Sequence, residues 1–532
     1  MSVRNSRNLI RVRPGHLREH QRIARDFFIQ HHNVYELFHD QVQKQPEKVF
    51  VIFPQQGQVF SYQDLDCEVE HRSRYLRDRG LTKGERVALV LPTSPDFLAL
   101  YFAAFRQGLS VVPINPDLSA AEIAYIITDS HARAVFYHQL VSAEVLVAQK
   151  ISGLDQKVFV NISDLLADHR AGDSSPVAVS YQDEAVVIYT SGTTGKPKGA
   201  VLNHLSLLAD AEAISSWFKF EVATRTLGIL PLFHNNGQVV TLLAPLSVGG
   251  STVLVPSKTS LRLFWSLVKE YAISWTSVMP SILAIILATR LKRTDSTMVG
   301  IICGGQVLNQ EVKTQFEDRY QVTIFEGYGL TETTSFACFN RFPAKRRKSG
   351  SVGEALPCND IIILGEDDQE LARGEEGEIC IRGPNVMSGY LGLPELNQQV
   401  LRAGFFHSGD YGYLDDDGHL YFKTRKDYLI SKGGEKIYPS EIENVLFAHP
   451  AVDECAVIGV PDQLLGQEIV AFVKLGREAT KGELAEFFAG KLAHHKHPKE
   501  IIVVNQLADL GEIPKGPTKK VLYRVLADYY QR

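Results

Sequence analysis

The string Tyr189-Thr190-Ser191-Gly192-Thr193-Thr194-Gly195-Lys196-Pro197-Lys198-Gly199 concentrates hydroxyls, glycines and lysines directly after the apolar run Ala185-Val186-Val187-Ile188. Glycines and small hydroxyl side chains let backbone N–H groups come close to anionic oxygens, and lysines add charge. A strand feeding such a loop suits a polyphosphate. The spacing is not that of a Walker P-loop. That motif needs four residues between its glycine and the Gly-Lys pair, whereas Gly192 and Gly195 have two between them. The bland alternative is a Ser/Thr/Gly surface loop, and so long an ordered string argues against it.

The elements that must position this loop follow from the patterning around it. Arg86–Leu91 reads as a strand, Asp96–Arg106 as a helix and Ser110–Pro113 as the next strand. The rhythm returns at Ala185–Thr190, Thr226–Leu230, Thr252–Val255, Trp275–Met279 and Val299–Cys303. Short continuous apolar runs with helical crossovers predict mostly parallel α/β layers. The uncharged run from Val239 to Pro256 is about as long as a membrane span. Pro245 and Gly249-Gly250 interrupt it, so a buried helix, a turn and a buried strand are expected instead of a transmembrane segment. From about Ser349 short strands alternate with acidic turns, and Asp415-Asp416-Asp417-Gly418 predicts a hairpin in a small antiparallel β subdomain. After Lys426 a compact α+β pattern begins.

At 532 residues the chain is long enough for more than one domain. The expected division is an N-terminal extension over 1–32, a large domain over 33–426 and a small mobile domain over 427–532. A net charge of -5 and a pI near 6.4 disfavour a nucleic-acid partner. Six scattered cysteines without a CxxC pair argue against a zinc site or disulfide framework and fit a reducing, cytoplasmic setting. The first thirty residues lack an apolar core segment, so no secretory signal is read there. They carry Arg4, Arg7, Arg11, Arg13, Arg18, Arg22 and Arg25, for which a solvated basic extension or short helix is expected over an organelle address. His494, His495 and His497 lack nearby acidic or cysteine partners in sequence, which disfavours a metal reading.

With the loop, an ordered set of further segments resembles the adenylate-forming superfamily of acyl-CoA synthetases, peptide-synthetase adenylation domains and beetle luciferases. Pro231-Leu232-Phe233-His234 resembles the gate beside the acyl pocket, and Gly304-Gly305-Gln306 the glycine turn along the nucleotide. Gly327-Tyr328-Gly329-Leu330-Thr331-Glu332-Thr333 resembles the adenine and metal motif. Gly377–Gly383, Gly389-Tyr390, Ser408-Gly409-Asp410, Arg425, Gly433–Pro439 and Lys520 continue the series. The likeness spans roughly Asn33 to Val525, and an ordered set is far more specific than any one segment.

The resemblance implies roles. Thr190–Lys196 would cradle phosphates, with Gly304, Gly305 and Gln306 beside them. Glu326 would accept from the adenine amine, where Asn or Gln is common in the family, and Tyr328 between Gly327 and Gly329 would stack on the ring. Thr331 would donate to the α-phosphate, Glu332 would hold Mg²⁺, and Asp410 and Arg425 would bind the ribose. His234, Asn235, Asn236, Gly305, Gln306 and Gly329 would line or gate the acyl pocket. Unpaired amides there would penalise a plain alkyl chain by about 1–3 kcal/mol each, which favours a short, medium or polar-substituted acid. Gly433, Gly434, Glu435 and Lys436 would face the thiol, and Asp427 would be the pivot. The implied reaction joins ATP, a carboxylic acid and the thiol of coenzyme A, or of a carrier-protein phosphopantetheine. A non-catalytic nucleotide-binding relative is the contrasting class.

The family pattern ends in Gly-Lys, and here Lys519 stands in the glycine's place, with Lys520 in register from Pro514. Lys520→Ala is expected to slow adenylation by about 10²–10³-fold while thioester formation from preformed acyl-adenylate survives. Separate half-reaction rates check this, and a defect that follows Lys519 instead would shift the register.

Overall fold

The computed structural model describes residues 9–12, 15, 17–23, 25–165, 175–190, 196–255, 261–293, 297–344, 347–507, 509–516 and 521–531. The chain divides into two units: 1–362 with 380–407 and 417–420, and 363–379 with 408–416 and 421–532.

The first unit is built on two sheets. One has the order Gly389–Tyr390, Lys198–Asn203, Glu184–Thr190, Ser110–Pro113, Arg86–Val90, Ala134–Tyr137, Phe159–Asn161. From Glu184–Thr190 onward its neighbours are parallel, and the strands Lys198–Asn203 and Gly389–Tyr390 are added antiparallel. The other sheet runs Glu354–Ala355, Cys338–Phe339, Thr323–Tyr328, Gly300–Cys303, Trp275–Val278, Arg225–Gly228, Ser251–Leu254, Val49–Phe53, Gln58–Ser61. Its six central strands, Thr323–Tyr328 to Val49–Phe53, are parallel. Strands such as Ser110–Pro113, Ala134–Tyr137 and Gly300–Cys303 are buried throughout, because helices cover both faces. Helix Pro95–Arg106 illustrates how the ends are set: Ser94 Oγ accepts from the Phe97 N–H, and Pro95 opens the first turn. Val239–Ser247 is buried helical structure, followed by strand Ser251–Leu254.

The parallel register decides where the site falls. Cys303 pairs with Glu326, so Gly304-Gly305-Gln306 and Gly327–Glu332 leave the same, carboxyl edge of adjacent strands. Ligands of open α/β sheets bind outside that edge.

The second unit carries the sheet Glu435–Ile437, Ile430–Lys432, Gly466–Leu475, Val452–Asp462, with Glu500–Val503 parallel to Gly466–Leu475. One face packs Ile442, Leu446, Val457 and Phe488, the other Phe472, Val504, Ile513 and Leu526.

Of the solvated extension or short helix expected for the N-terminal segment, the structure shows a short helical turn at Glu19–Gln21, and it is only partly solvated. His20 and Gln21 are buried, and their side chains bond to the carbonyls of Met387 and Val386 at 3.0 and 2.9 Å. Hydrogen bonding to buried loop carbonyls, which composition cannot forecast, holds it down.

Glu443, half-buried on helix Pro439–Phe447, points its carboxyl inward, accepting from Val457 N–H at 2.9 Å and Tyr523 Oη at 3.0 Å. Burial pushes its carboxyl up from 4.5 to about 7. The folded state therefore binds a proton that the unfolded state releases. Stability is fully present below the ordinary value and falls as pH rises through about 7, by about 3 kcal/mol. Thermal unfolding of wild type and Glu443→Gln across this range should show the fall in wild type only.

Candidate active site

The turn Thr331–Thr333 follows strand Thr323–Tyr328 and places Glu332 in a buried position. Tyr390 Oη donates to Glu332 Oε1 at 2.6 Å, and the Met387 N–H donates to the Glu332 carbonyl at 2.8 Å. Tyr390 reaches this point because its strand pairs with Lys198–Asn203, placing it opposite Ala200. Lys198 Nζ lies 5.3 Å from the Tyr390 ring centroid. The exit of the glycine- and hydroxyl-rich loop and the carboxylate Glu332 are thus joined through one tyrosine. At the loop's two ends, Thr190 Oγ1 donates to the Lys198 carbonyl at 3.5 Å and Lys196 Nζ sits 5.6 Å from the Tyr125 ring centroid. Ser191, Gly192, Thr193, Thr194 and Gly195 lie outside the described residues, as does Lys520.

Steric room is measured by the glycines. A Cβ on Gly329 would come within 2.1 Å of the Ser335 carbonyl oxygen, and one on Gly304 within 2.4 Å of Phe336. Side chains at these positions would drive the two turns apart. Gly305 has φ +84 and open space where a Cβ would stand, so its backbone faces a gap. Gln306 is half-buried beside it, and Tyr328 is buried next to Gly327.

Glu326 is buried and ion-paired with Lys313 of helix Gln310–Tyr320, itself buried. Nothing in the sequence singled out Lys313. It sits thirteen residues away in a polar helix, and only the parallel crossover brings it beneath the strand.

His234 is half-buried against Phe233, with ring centroids 4.7 Å apart, at the start of the short helix Asn235–Gln238. The Asn235 amide and the Asn236 amide oxygen behind it already hold hydrogen bonds within the protein. Asn235 Nδ2 donates to the Thr334 carbonyl, Asn235 Oδ1 accepts from the Asn236 N–H at 3.1 Å, and Asn236 Oδ1 accepts from Ser277 Oγ at 2.8 Å. Asn235 ties the gate segment to the Thr331–Phe336 turn, and Asn236 ties it to strand Trp275–Val278.

The second unit carries the remaining expected residues. Asp410 is buried, 3.0 Å from Arg425 Nε, and its own N–H donates to Ser408 Oγ at 3.0 Å. Asp427 is exposed in the turn Lys426–Tyr428. The Tyr428 and Tyr523 rings pack at a tilt of 33° with centroids 4.4 Å apart. Gly433 and Gly434, at φ +61 and +87, form an exposed hairpin tip that Asn or Asp alone among other residues would tolerate readily. Glu435 and Lys436 beside it meet His495 at 2.9 Å and Glu366 at 3.0 Å. The segment that leads to Lys520 is closed at its base by a bridge between Lys515 and Val521.

A family model described as AMP-binding enzyme matches residues 38–391, and one described as AMP-binding enzyme C-terminal domain matches residues 441–511. The chain belongs to the AMP-binding enzyme family. It is 34% identical over 487 residues to a sulfoacetate–CoA ligase of Cupriavidus necator, covering 90% of this chain and 94% of that one. It is 30% identical to a long-chain-fatty-acid–CoA ligase of Bacillus subtilis, covering 92% and 93%. Among solved structures, ATP-bound MatB from Rhodopseudomonas palustris superposes with a TM-score of 0.85 at 28% identity, covering 94% of this chain and 99% of that one.

Lys313→Met would strand a buried carboxylate, costing about 3–5 kcal/mol. Adding Glu326→Gln should recover most of that loss. Chemical denaturation of both variants checks the coupling, and additive effects would contradict it.

Proposed function

We propose that this chain is an AMP-forming acid–thiol ligase that converts a carboxylic acid and Mg-ATP to an acyl-adenylate and passes the acyl group to coenzyme A. The observation that carries the reading is the Glu332–Tyr390 contact, which brings the adenine and metal motif to the exit of the phosphate loop at the carboxyl edge of the sheet. Family membership and the ligase activities of the relatives support it.

A carboxylate is a poor acyl donor because its leaving group would be oxide. Attack of one carboxylate oxygen on the α-phosphorus forms an O–P bond and releases pyrophosphate. The thiolate then attacks the acyl carbon, and AMP leaves with the bonding electrons. Thr331 is assigned to donate to the α-phosphate and Lys520 to balance its growing charge. Asp410 and Arg425 are assigned to the ribose. Glu332 is a buried hard oxygen donor that fits Mg²⁺, and when bound the ion would supply charge neutralisation across the phosphates. Tyr390, donating to one carboxylate oxygen, orients Glu332 for that task. Glu326, held by Lys313, is assigned to the adenine amine, with Tyr328 against the ring.

Lys520 is needed beside the α-phosphate in the first step, and the same space must admit a pantetheine arm in the second. The 427–532 segment is therefore assigned a swing about Asp427, exposing Gly433–Lys436 to the thiol. His234 remains the gate residue. With Asn235 and the Asn236 oxygen already bonded, the preference for a short, medium or polar-substituted acid rests on the polar gate segment and on the sulfoacetate-using relative. Coenzyme A is favoured over a carrier-protein phosphopantetheine by the same relatives. All six cysteines are free thiols, five of them buried, which suits a cytoplasmic setting. No helix among the described residues is long and apolar enough to cross a membrane.

ATP–pyrophosphate exchange across a panel of acids, read with thioester formation on free coenzyme A, tests the reading. Acid-dependent exchange with AMP release is expected. A clear preference for palmitate would overturn the substrate assignment, and failure of every acid would overturn the activity. Asp427→Pro fixes φ near −65° at the pivot and should cut thioester formation far more than adenylation. Equal losses in the two half-reactions would remove Asp427 from that role.

A further inference from the structure

The N-terminal arm ends on the loop that holds Glu332. Met387 is gripped on both sides: its N–H donates to the Glu332 carbonyl at 2.8 Å, while its own carbonyl bonds to His20 Nε2 at 3.0 Å. Gln21 Nε2 donates to the neighbouring Val386 carbonyl at 2.9 Å, and the Gly383 N–H donates to the His20 carbonyl at 3.0 Å. A second strand of contacts runs in parallel. Arg25 donates to the carbonyls of Pro357 and Asn359 at 2.8 and 2.9 Å. Asn359 Nδ2 donates to Asn385 Oδ1 at 2.6 Å, and Asn385 Nδ2 reaches the Thr333 carbonyl at 3.2 Å.

We infer that His20, Gln21 and Arg25 form a positioning element of the active site, bracing the 383–390 loop so that Glu332 and Tyr390 meet a metal-bound nucleotide in a fixed geometry. The inference rests on the assignment of Glu332 to the metal. Nothing in the family match requires it, because the matched region begins at residue 38.

The chemistry of the contacts agrees. A carbonyl can only accept, so His20 carries its proton on Nε2 as a neutral imidazole. Burial holds it neutral, lowering its pKa to about 4, so the brace persists through neutral pH. His20 and Gln21 are 6% and 2% exposed, so water does not replace a lost partner, and each deletion leaves a buried carbonyl unsatisfied. Arg25 is used within the protein, bonded to two carbonyls and 3.4 Å from Asp360.

The test is the full-length His20→Ala/Gln21→Ala variant, with Arg11→Ala, whose partner is the exposed Asp26, as control. Calorimetric titration with ATP in the presence and absence of Mg²⁺ should show the metal-dependent part of affinity reduced about tenfold in the double variant and unchanged in Arg11→Ala. Hydrogen exchange should show faster exchange at the Met387 amide with the rest of the first unit still protected. His20→Asn, which restores a donor, should recover part of the loss. A double variant that melts earlier yet keeps both the metal-dependent affinity and Met387 protection overturns the brace and leaves a stability role. Unfolding of the double variant would pass the decision to His20→Ala and Gln21→Ala separately, where intact metal dependence in both overturns it. Wild type binding ATP without any metal dependence would instead overturn the assignment of Glu332.

Discussion

Everything in the proposed chemistry depends on holding the Thr331–Phe336 turn in a conformation it would not choose alone. Thr334 sits at φ +66, ψ −66, a region that a β-branched residue avoids, at a cost of about 1–3 kcal/mol. Buried hydrogen bonds over-determine it. Thr334 Oγ1 donates to the Asn385 carbonyl at 2.6 Å, and Asn385 Nδ2 lies 3.2 Å and 3.1 Å from the carbonyls of Thr333 and Phe336. Asp210 beneath accepts from Ser335, and burial pushes its carboxyl up to about 7. A half-satisfied network of this kind would be worse than an apolar core, so the turn is locked or lost as a unit.

That lock explains how distant parts of the chain bear on one carboxylate. The gate segment is tied to the turn by Asn235, the phosphate-loop strand by Tyr390, and the N-terminal arm by His20 through Met387. Each tie is a hydrogen bond to a backbone carbonyl, a carboxylate oxygen or a neighbouring N–H. Such bonds direct geometry without demanding large apolar surfaces, which suits a site that must admit a charged nucleotide.

Most of the architecture was legible because it is local. The strands Arg86–Val90, Ser110–Pro113 and Trp275–Val278 announce themselves as short apolar runs, and helix Pro95–Arg106 by its cap and periodicity. The reaction class was legible because several glycine- and hydroxyl-bearing segments recur in a fixed order. What the sequence hid is what tertiary structure creates. Lys313 looks like a surface lysine until the crossover carries it under Glu326. His20 and Gln21 look like part of a solvated basic tail until loop carbonyls meet them. Asn235 and Asn236 suggested a hungry polar pocket, yet the Asn235 amide and the Asn236 oxygen are already bonded within the protein.

The central claim is that the acid's own oxygen attacks the α-phosphorus. It is tested most directly with a substrate acid labelled with ¹⁸O in its carboxylate, turned over with ATP and coenzyme A. The account predicts one labelled oxygen in the AMP formed and none in pyrophosphate. Label in inorganic phosphate, or AMP free of label while thioester accumulates, would contradict it.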